Sequence, residues 1–296
     1  MEDVFPEFKE RINQSFGQSG LASSMIPKNY RAKLSLRPKV HGKVVRLAAV
    51  MHGLAIRLTS HARDGVMALY YSDKDGDTPD PMRDQLALQR KIDDVLRRYK
   101  ADAASFKYFH DLPYQGLAIA GVLGDRMSDY RFDDYELRRW IKPNESVLDI
   151  GCNCGFIAVL AAYRIGASAH GIDINPYMIE VGQLVAKHLR VDDSVHLSAG
   201  NLVEYRPPAP FDTVLSFATH WTDDHNYRVS IVDHMERMAS LLRPGGTLVF
   251  ETHCNDVGSA EFYEGMASVK DRLFRFDGVY KKTDAGTREL YIMQRI

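Results

Sequence analysis

Residues 147–155, Val-Leu-Asp-Ile-Gly-Cys-Asn-Cys-Gly, constrain the fold more than any other stretch. An apolar run and a carboxylate pass into two glycines, and a helix-like apolar stretch, 156–165, follows directly. A short buried strand, a glycine turn and then a helix is how a parallel sheet brings a ligand to a helix N-terminus. Without a Cβ at Gly151 or Gly155, the backbone can lie against a bound molecule. The spacing is G-x-x-x-G, not the G-x-G-x-x-G that cradles a dinucleotide pyrophosphate, so a nicotinamide oxidoreductase is disfavoured. A ligand without phosphate needs only the close approach.

The next strand-like run, 169–174, carries an acid, Asp173, about 20 residues past the turn, where doubly wound sheets place a carboxylate for ribose hydroxyls. Its other possible role is capping the helix that Pro176 opens. Further strands are expected at 146–151, 194–199, 212–218 and 247–253, and helices at 155–165, 176–190 and 226–242. This alternation predicts an α/β, doubly wound and mostly parallel sheet with helices on both faces. Residues 273–280 and 288–293, either side of Thr283-Asp284-Ala285-Gly286, read as a closing hairpin.

As a set, these motifs resemble class I S-adenosylmethionine-dependent methyltransferases over residues 105–296. The similar stretches are LDIGCNCG at 148–155, GIDINP at 171–176, SAGNL at 198–202, FDTVLSFATHW at 211–221 and LLRPGGTLVFETH at 241–253. The resemblance implies a seven-stranded Rossmann-like sheet, with an antiparallel last strand inserted by the closing hairpin. It implies S-adenosyl-L-methionine as cofactor, bedded on Gly151 and Gly155 with Cys152 and Asn153 in the turn. Asp149 would order the turn and reach the amino end, and Asp173, with Ile174 beside it, would take the ribose. Asn201 and Leu202 would flank the adenine, and Phe217 would also contact the cofactor. A narrower resemblance, to bacterial methyltransferases related to wobble-uridine tRNA-modifying enzymes, covers 108–121 and the aromatics that follow, and brings His110, Arg126 and Tyr130 towards the cofactor.

A sulfonium carries an activated methyl, so holding the acceptor in line is the main task, worth roughly 7 to 11 kcal/mol of barrier. A hydroxyl acceptor also needs a base within hydrogen-bond reach. His220, then His225, then His253 follow the fourth and fifth strands of the motif series, at the carboxyl edge where open α/β sheets work, and imidazole titrates near neutrality. The same histidines with Asp224 might alternatively hold a metal, but no paired-acid or Glu-x-x-Glu-x-x-His spacing supports one. No metal is expected.

Residues 1–104 are expected to form a helical, basic extension, with stripes at 4, 8, 12, 16 and at 44, 47, 51, 54, 58. From Arg11 to Arg63 no acid occurs, while eight Lys and Arg residues gather between 28 and 57. The net charge of −1 conceals this asymmetry. Its bland role is a solvated helix edge; its sharper one is a surface for RNA or anionic lipid at residues 28–63. Residues 71–81 read as a polar linker, and a helix is expected from Met82 to about Ala104. Three cysteines make no disulfide framework, and no run reaches the roughly 18 apolar residues of a membrane span, so a cytoplasmic protein is expected. The expected activity is O-methylation of a small molecule or saccharide with a histidine base. RNA methylation, or a non-catalytic cofactor-binding regulator, is the alternative.

Overall fold

A computed structural model describes residues 81–102, 113–124, 126–221 and 229–296. The expected helices and basic residues before 81, the linker, the segment 105–112 with His110, and His225 lie outside the described residues. The chain divides into two compact units, 1–74 and 75–296.

Helix α1 spans Pro81–Ala101 and buries Leu88, Ile92, Val95, Leu96 and Tyr99 along one face, as the 3.6-residue period requires. Although the sequence assigns this stretch to the extension, α1 packs against the sheet unit. Tyr99 stacks on Tyr177 at 5.3 Å between centroids, and Arg98 pairs with Glu180 at 2.7 Å. A two-stranded parallel ribbon follows, β1 (Gln115–Gly116) with β2 (Arg126–Met127), and then two short helices, α2 (Ser128–Asp134) and α3 (Leu137–Trp140).

The main sheet begins with β3 (Ser146–Ile150), α4 (Phe156–Ile165), β4 (Ser168–Asp173), α5 (Pro176–His188) and β5 (Val195–Ala199). It continues with β6 (Phe211–Phe217), α6 (Ile231–Leu241), β7 (Leu242–Glu251) and α7 (Ala260–Val269). Strands β8 (Phe274–Arg275), β9 (Lys281–Thr283) and β10 (Arg288–Arg295) close it. The strand order is β5-β4-β3-β6-β7-β10-β8. All neighbours are parallel from β5 to β7, and β10 runs antiparallel between β7 and β8.

Alternation within each strand builds two cores. Val147, Leu215, Val249 and Leu290 face α1, α4 and α5, while Leu148, Val214, Leu248 and Met293 face α6 and α7. Burial on both faces is why these strands read as unbroken apolar runs. Helix α4 is buried from Phe156 to Ala162, so it lacks a polar stripe.

Three expectations are corrected. The last hairpin arm is not one strand: residues 273–280 split into β8 and a connection through Gly278 (φ +136°), and β9 starts at Lys281. The sheet therefore has eight strands, seven along its path and β9 paired with β10 off it. Strand β7 begins at Leu242, not 247, because Leu242 pairs with Phe211 before the register shifts around Arg243-Pro244-Gly245-Gly246. Helix α6 begins after Ser230, whose hydroxyl accepts the Asp233 amide.

Candidate functional site

From β3 the chain winds outward through β4 to β5, then returns to β6 on the other side of β3. That reversal opens a crevice at the carboxyl ends of β3 and β6, where such sheets bind ligands. The residues at its rim come from the turn after β3, the end of β4, and the ends of β6 and β7.

The turn is built for close approach at one glycine and for packing at the other. Gly151 is exposed with φ +61°, and an added Cβ would meet Thr219 Cγ2 at 2.6 Å. Gly155 is buried with φ +66°, and its missing Cβ makes room for Leu197. At both glycines a Cβ would strike a neighbouring side chain, and Gly151 is the more open of the two. Asn153 also takes a left-handed conformation, φ +54°, and its amide donates to Asp173 Oδ2 at 2.7 Å. Asp173 Oδ1 accepts the Asn175 amide at 2.9 Å. Asp173 thus faces the turn. The capping role weighed for it falls to Asn175, whose side chain accepts from Tyr177 and Met178 amides.

Gln115, invisible to motif reasoning, clamps the turn from outside. Its Nε2 donates to the Cys152 carbonyl at 3.0 Å and its Oε1 accepts the Phe156 amide at 3.2 Å. Cys152 and Cys154 are buried, and burial pushes both thiols up, so they pack rather than react. Asp149 is buried in β3, its Oδ2 without a hydrogen-bond partner. Burial pushes its carboxyl up to about 8, opposed by the charge of Arg131 and reinforced by Asp173.

The remaining expected cofactor contacts divide. Ile174 is half-buried beside Asp173. Asn201 is exposed and its Oδ1 accepts the Val203 amide at 2.8 Å. Leu202 packs against the core behind β3 and β6. Arg126 pairs with Asp284 at 3.5 Å, and Tyr130 is 58% exposed. Phe217 closes β6, its ring edge-on to Tyr135 at 5.2 Å. Ala218 follows in a left-handed conformation, φ +59°.

The histidines behave differently from their sequence ranking. His220 Nε2 donates to the Val229 carbonyl at 3.1 Å, and Nδ1 lies 2.9 Å from Asp256 Oδ1. Both ring nitrogens are engaged and the side chain is buried, so action of His220 as a base would require one of these contacts to open. Asp256, missed in the sequence, is the hub of this corner: it also accepts from Trp221 Nε1 and from the His253 amide at 2.8 Å. His253 Nδ1 accepts the Asn255 amide at 3.2 Å. A second buried imidazole, His234, meets Ser216 Oγ at 3.2 Å; burial, and then His220, lower it to about 3.

Beyond Phe217 lies a buried polar cluster at the end of β7. Glu251 is fully buried; it accepts from Tyr135, from Thr283 at 2.9 Å and from Arg288 at 3.3 Å.

A reversed parallel sheet, an inserted antiparallel β10, a G-x-x-x-G turn and an acid closing β4 define the Rossmann-like, S-adenosylmethionine-binding class. The family model described as "Methyltransferase domain" matches residues 141–292, and the chain belongs to that family. Among curated relatives, geranyl diphosphate 2-C-methyltransferase of Streptomyces coelicolor is 28% identical over 112 residues, 38% of this chain and 37% of that protein. The tRNA U34 carboxymethyltransferase of a Shewanella species is 33% identical over 131 residues, 42% of this chain and 36% of that protein. The chain thus matches little more than a third of either relative's length. A class I methyltransferase structure from Listeria monocytogenes, described as putative, superposes with a TM-score of 0.49 at 15% identity, covering 76% of this chain and 71% of that one. S-adenosyl-L-methionine is the cofactor of this enzyme class, and the residues present suit it: Gly151 opens the turn to solvent, Asp149 holds an unpartnered buried oxygen, and Asp173 sets a carboxylate against the turn. Among the described residues no helix is long and apolar enough to cross a membrane.

Proposed function

We propose that this methyltransferase acts on a small-molecule acceptor held over the ends of β6 and β7. The observation that carries the reading is the Asn153–Asp173 hydrogen bond, which sets a carboxylate beside the glycine turn. Gly151 and Asn153 would bed the cofactor, Asp173 would accept its ribose hydroxyls, and Asp149 would meet its ammonium end. Bound there, S-adenosylmethionine supplies an activated methyl. Phe217 and Tyr135 would wall the acceptor side and exclude water. Proton removal from an oxygen acceptor would fall to His225 before His220, whose two ring nitrogens are hydrogen-bonded, and His253, whose Nδ1 is. The division into an extension before 104 and a transfer domain after it is proposed with α1 serving as a wall of the latter, given its packing on α5.

RNA is the second reading. It is favoured by the acid-free stretch from Arg11 to Arg63 and by a relative named for tRNA. The deciding experiment incubates the protein with methyl-labelled S-adenosylmethionine and either the small-molecule or the RNA fraction of a cell extract. Label in small molecules together with adenosylhomocysteine is expected. Label in RNA, with binding that weakens steeply in salt, would replace the first reading by the second. Adenosylhomocysteine binding without turnover on either fraction would make the protein a regulator.

A further inference from the structure

One guanidinium at this rim touches no carboxylate among the described residues. Arg131, on α2, is half-buried, with its guanidinium carbon 5.7 Å from the Tyr135 ring centroid and 6.0 Å from that of Phe217. It makes no hydrogen bond or ion pair among the described residues. The other cations nearby are matched. Arg288 faces Glu251 at 3.3 Å and Asp284 at 3.6 Å, and Arg126 faces Asp284 at 3.5 Å. Glu251 is further satisfied by Tyr135 and Thr283. Asp149, the remaining carboxyl in range, leaves its Oδ2 unbonded and makes no pair with Arg131.

A half-buried guanidinium sacrifices hydration, and two aromatic faces return only part of it. Its planar fork of donors suits a carboxylate or phosphate bound through two oxygens. Burial works against the charge, yet the fields of Tyr135 and Glu251 hold the Arg131 pKa above its ordinary value, so the cation persists.

Position decides which molecule it serves. The glycine turn and Asp173 lie at the ends of β3 and β4. Arg131 instead rests on Phe217, which ends β6, and on Tyr135, which is tied to Glu251 at the end of β7. Phe217 and Glu251 are register partners on adjacent strands. We infer that Arg131, seated on the Tyr135 and Phe217 rings, binds an oxyanion of the methyl acceptor, a carboxylate or a phosphate. This rests on the methyl-transfer reading above and narrows its acceptor to an anionic small molecule.

The test uses the full chain saturated with S-adenosylhomocysteine, with inorganic pyrophosphate and malonate as probes, by calorimetry. Wild type should bind at least one probe saturably, and R131M should weaken that binding about tenfold or more, as loss of a charged hydrogen-bond donor implies. R131K, which keeps the charge but not the fork, should fall between them, and it carries the comparison if R131M melts early. Equal probe binding in wild type and both variants, or none in wild type, overturns the inference. So does a loss in R131M confined to S-adenosylhomocysteine and absent with methylthioadenosine, because the guanidinium would then hold the cofactor's own carboxylate. Failure of wild type to bind S-adenosylhomocysteine would instead remove the methyl-transfer reading itself.

Discussion

The Asn153 amide donates to the Asp173 carboxylate at 2.7 Å, joining the turn after β3 to the end of β4 across 20 residues of sequence. One side chain therefore shapes the turn and offers acceptors to the crevice. Asp173→Ala should lower S-adenosylhomocysteine affinity by roughly 10- to 100-fold, the range for charge-assisted hydrogen bonds. A titration with equal affinity in wild type and variant would show that the acid serves the turn alone.

Asp149 should make cofactor binding pH-dependent. Burial pushes its carboxyl up from an ordinary 3.8 to about 8, so the free protein holds this proton at pH 7. An ammonium arriving beside it favours the carboxylate, so binding expels the proton and tightens as pH rises from about 4 to about 8. By the same sign, folding stability from this group is present at low pH and declines as pH climbs through that window. Calorimetry in two buffers of unlike ionisation enthalpy should detect proton release in wild type and none in Asp149→Asn.

His234 should make the fold acid-labile. Its pKa is lowered from 6.5 to about 3, so between those values the unfolded chain binds the extra proton and stability drops as pH falls. The melting temperature of wild type should decline on acidification below about 6.5, and His234→Gln should flatten part of that slope. Parallel curves for the two proteins would contradict the assignment.

His220 and Asp256 should act as one structural unit. Removing either leaves the other buried and under-bonded, a loss of about 1 to 3 kcal/mol, more where charge is exposed. The double substitution His220→Ala with Asp256→Ala should cost clearly less than the sum of the singles. A His220→Gln enzyme with wild-type melting but turnover reduced a hundredfold would restore His220 as the base.

The sheet was legible because its strands are buried on both faces and punctuated by glycine turns; five strands and three helices fall within a few residues of expectation. Helix α7 escaped notice since Gly265 breaks its pattern, and that glycine exists because a Cβ there would collide with Ile231 of α6. No local spacing marks Gln115, Arg131, Glu251 or Asp256. Each gains its role from a neighbour 30 or more residues away, as with Gln115 and Cys152, 37 apart, or Tyr135 and Glu251, 116 apart. Position along the chain put His220 at the correct edge of the sheet, yet only the folded contacts reveal that its nitrogens are committed.

Strand β10 sits between β7 and β8, with Ile292 opposite Val249 and Met293 opposite Leu248. Until residues 288–295 are in place, β7 offers nascent chains an open, sticky ladder of apolar side chains and free amides, the kind of edge that recruits other molecules. Production at low temperature or with a holdase should thus raise the yield of active material.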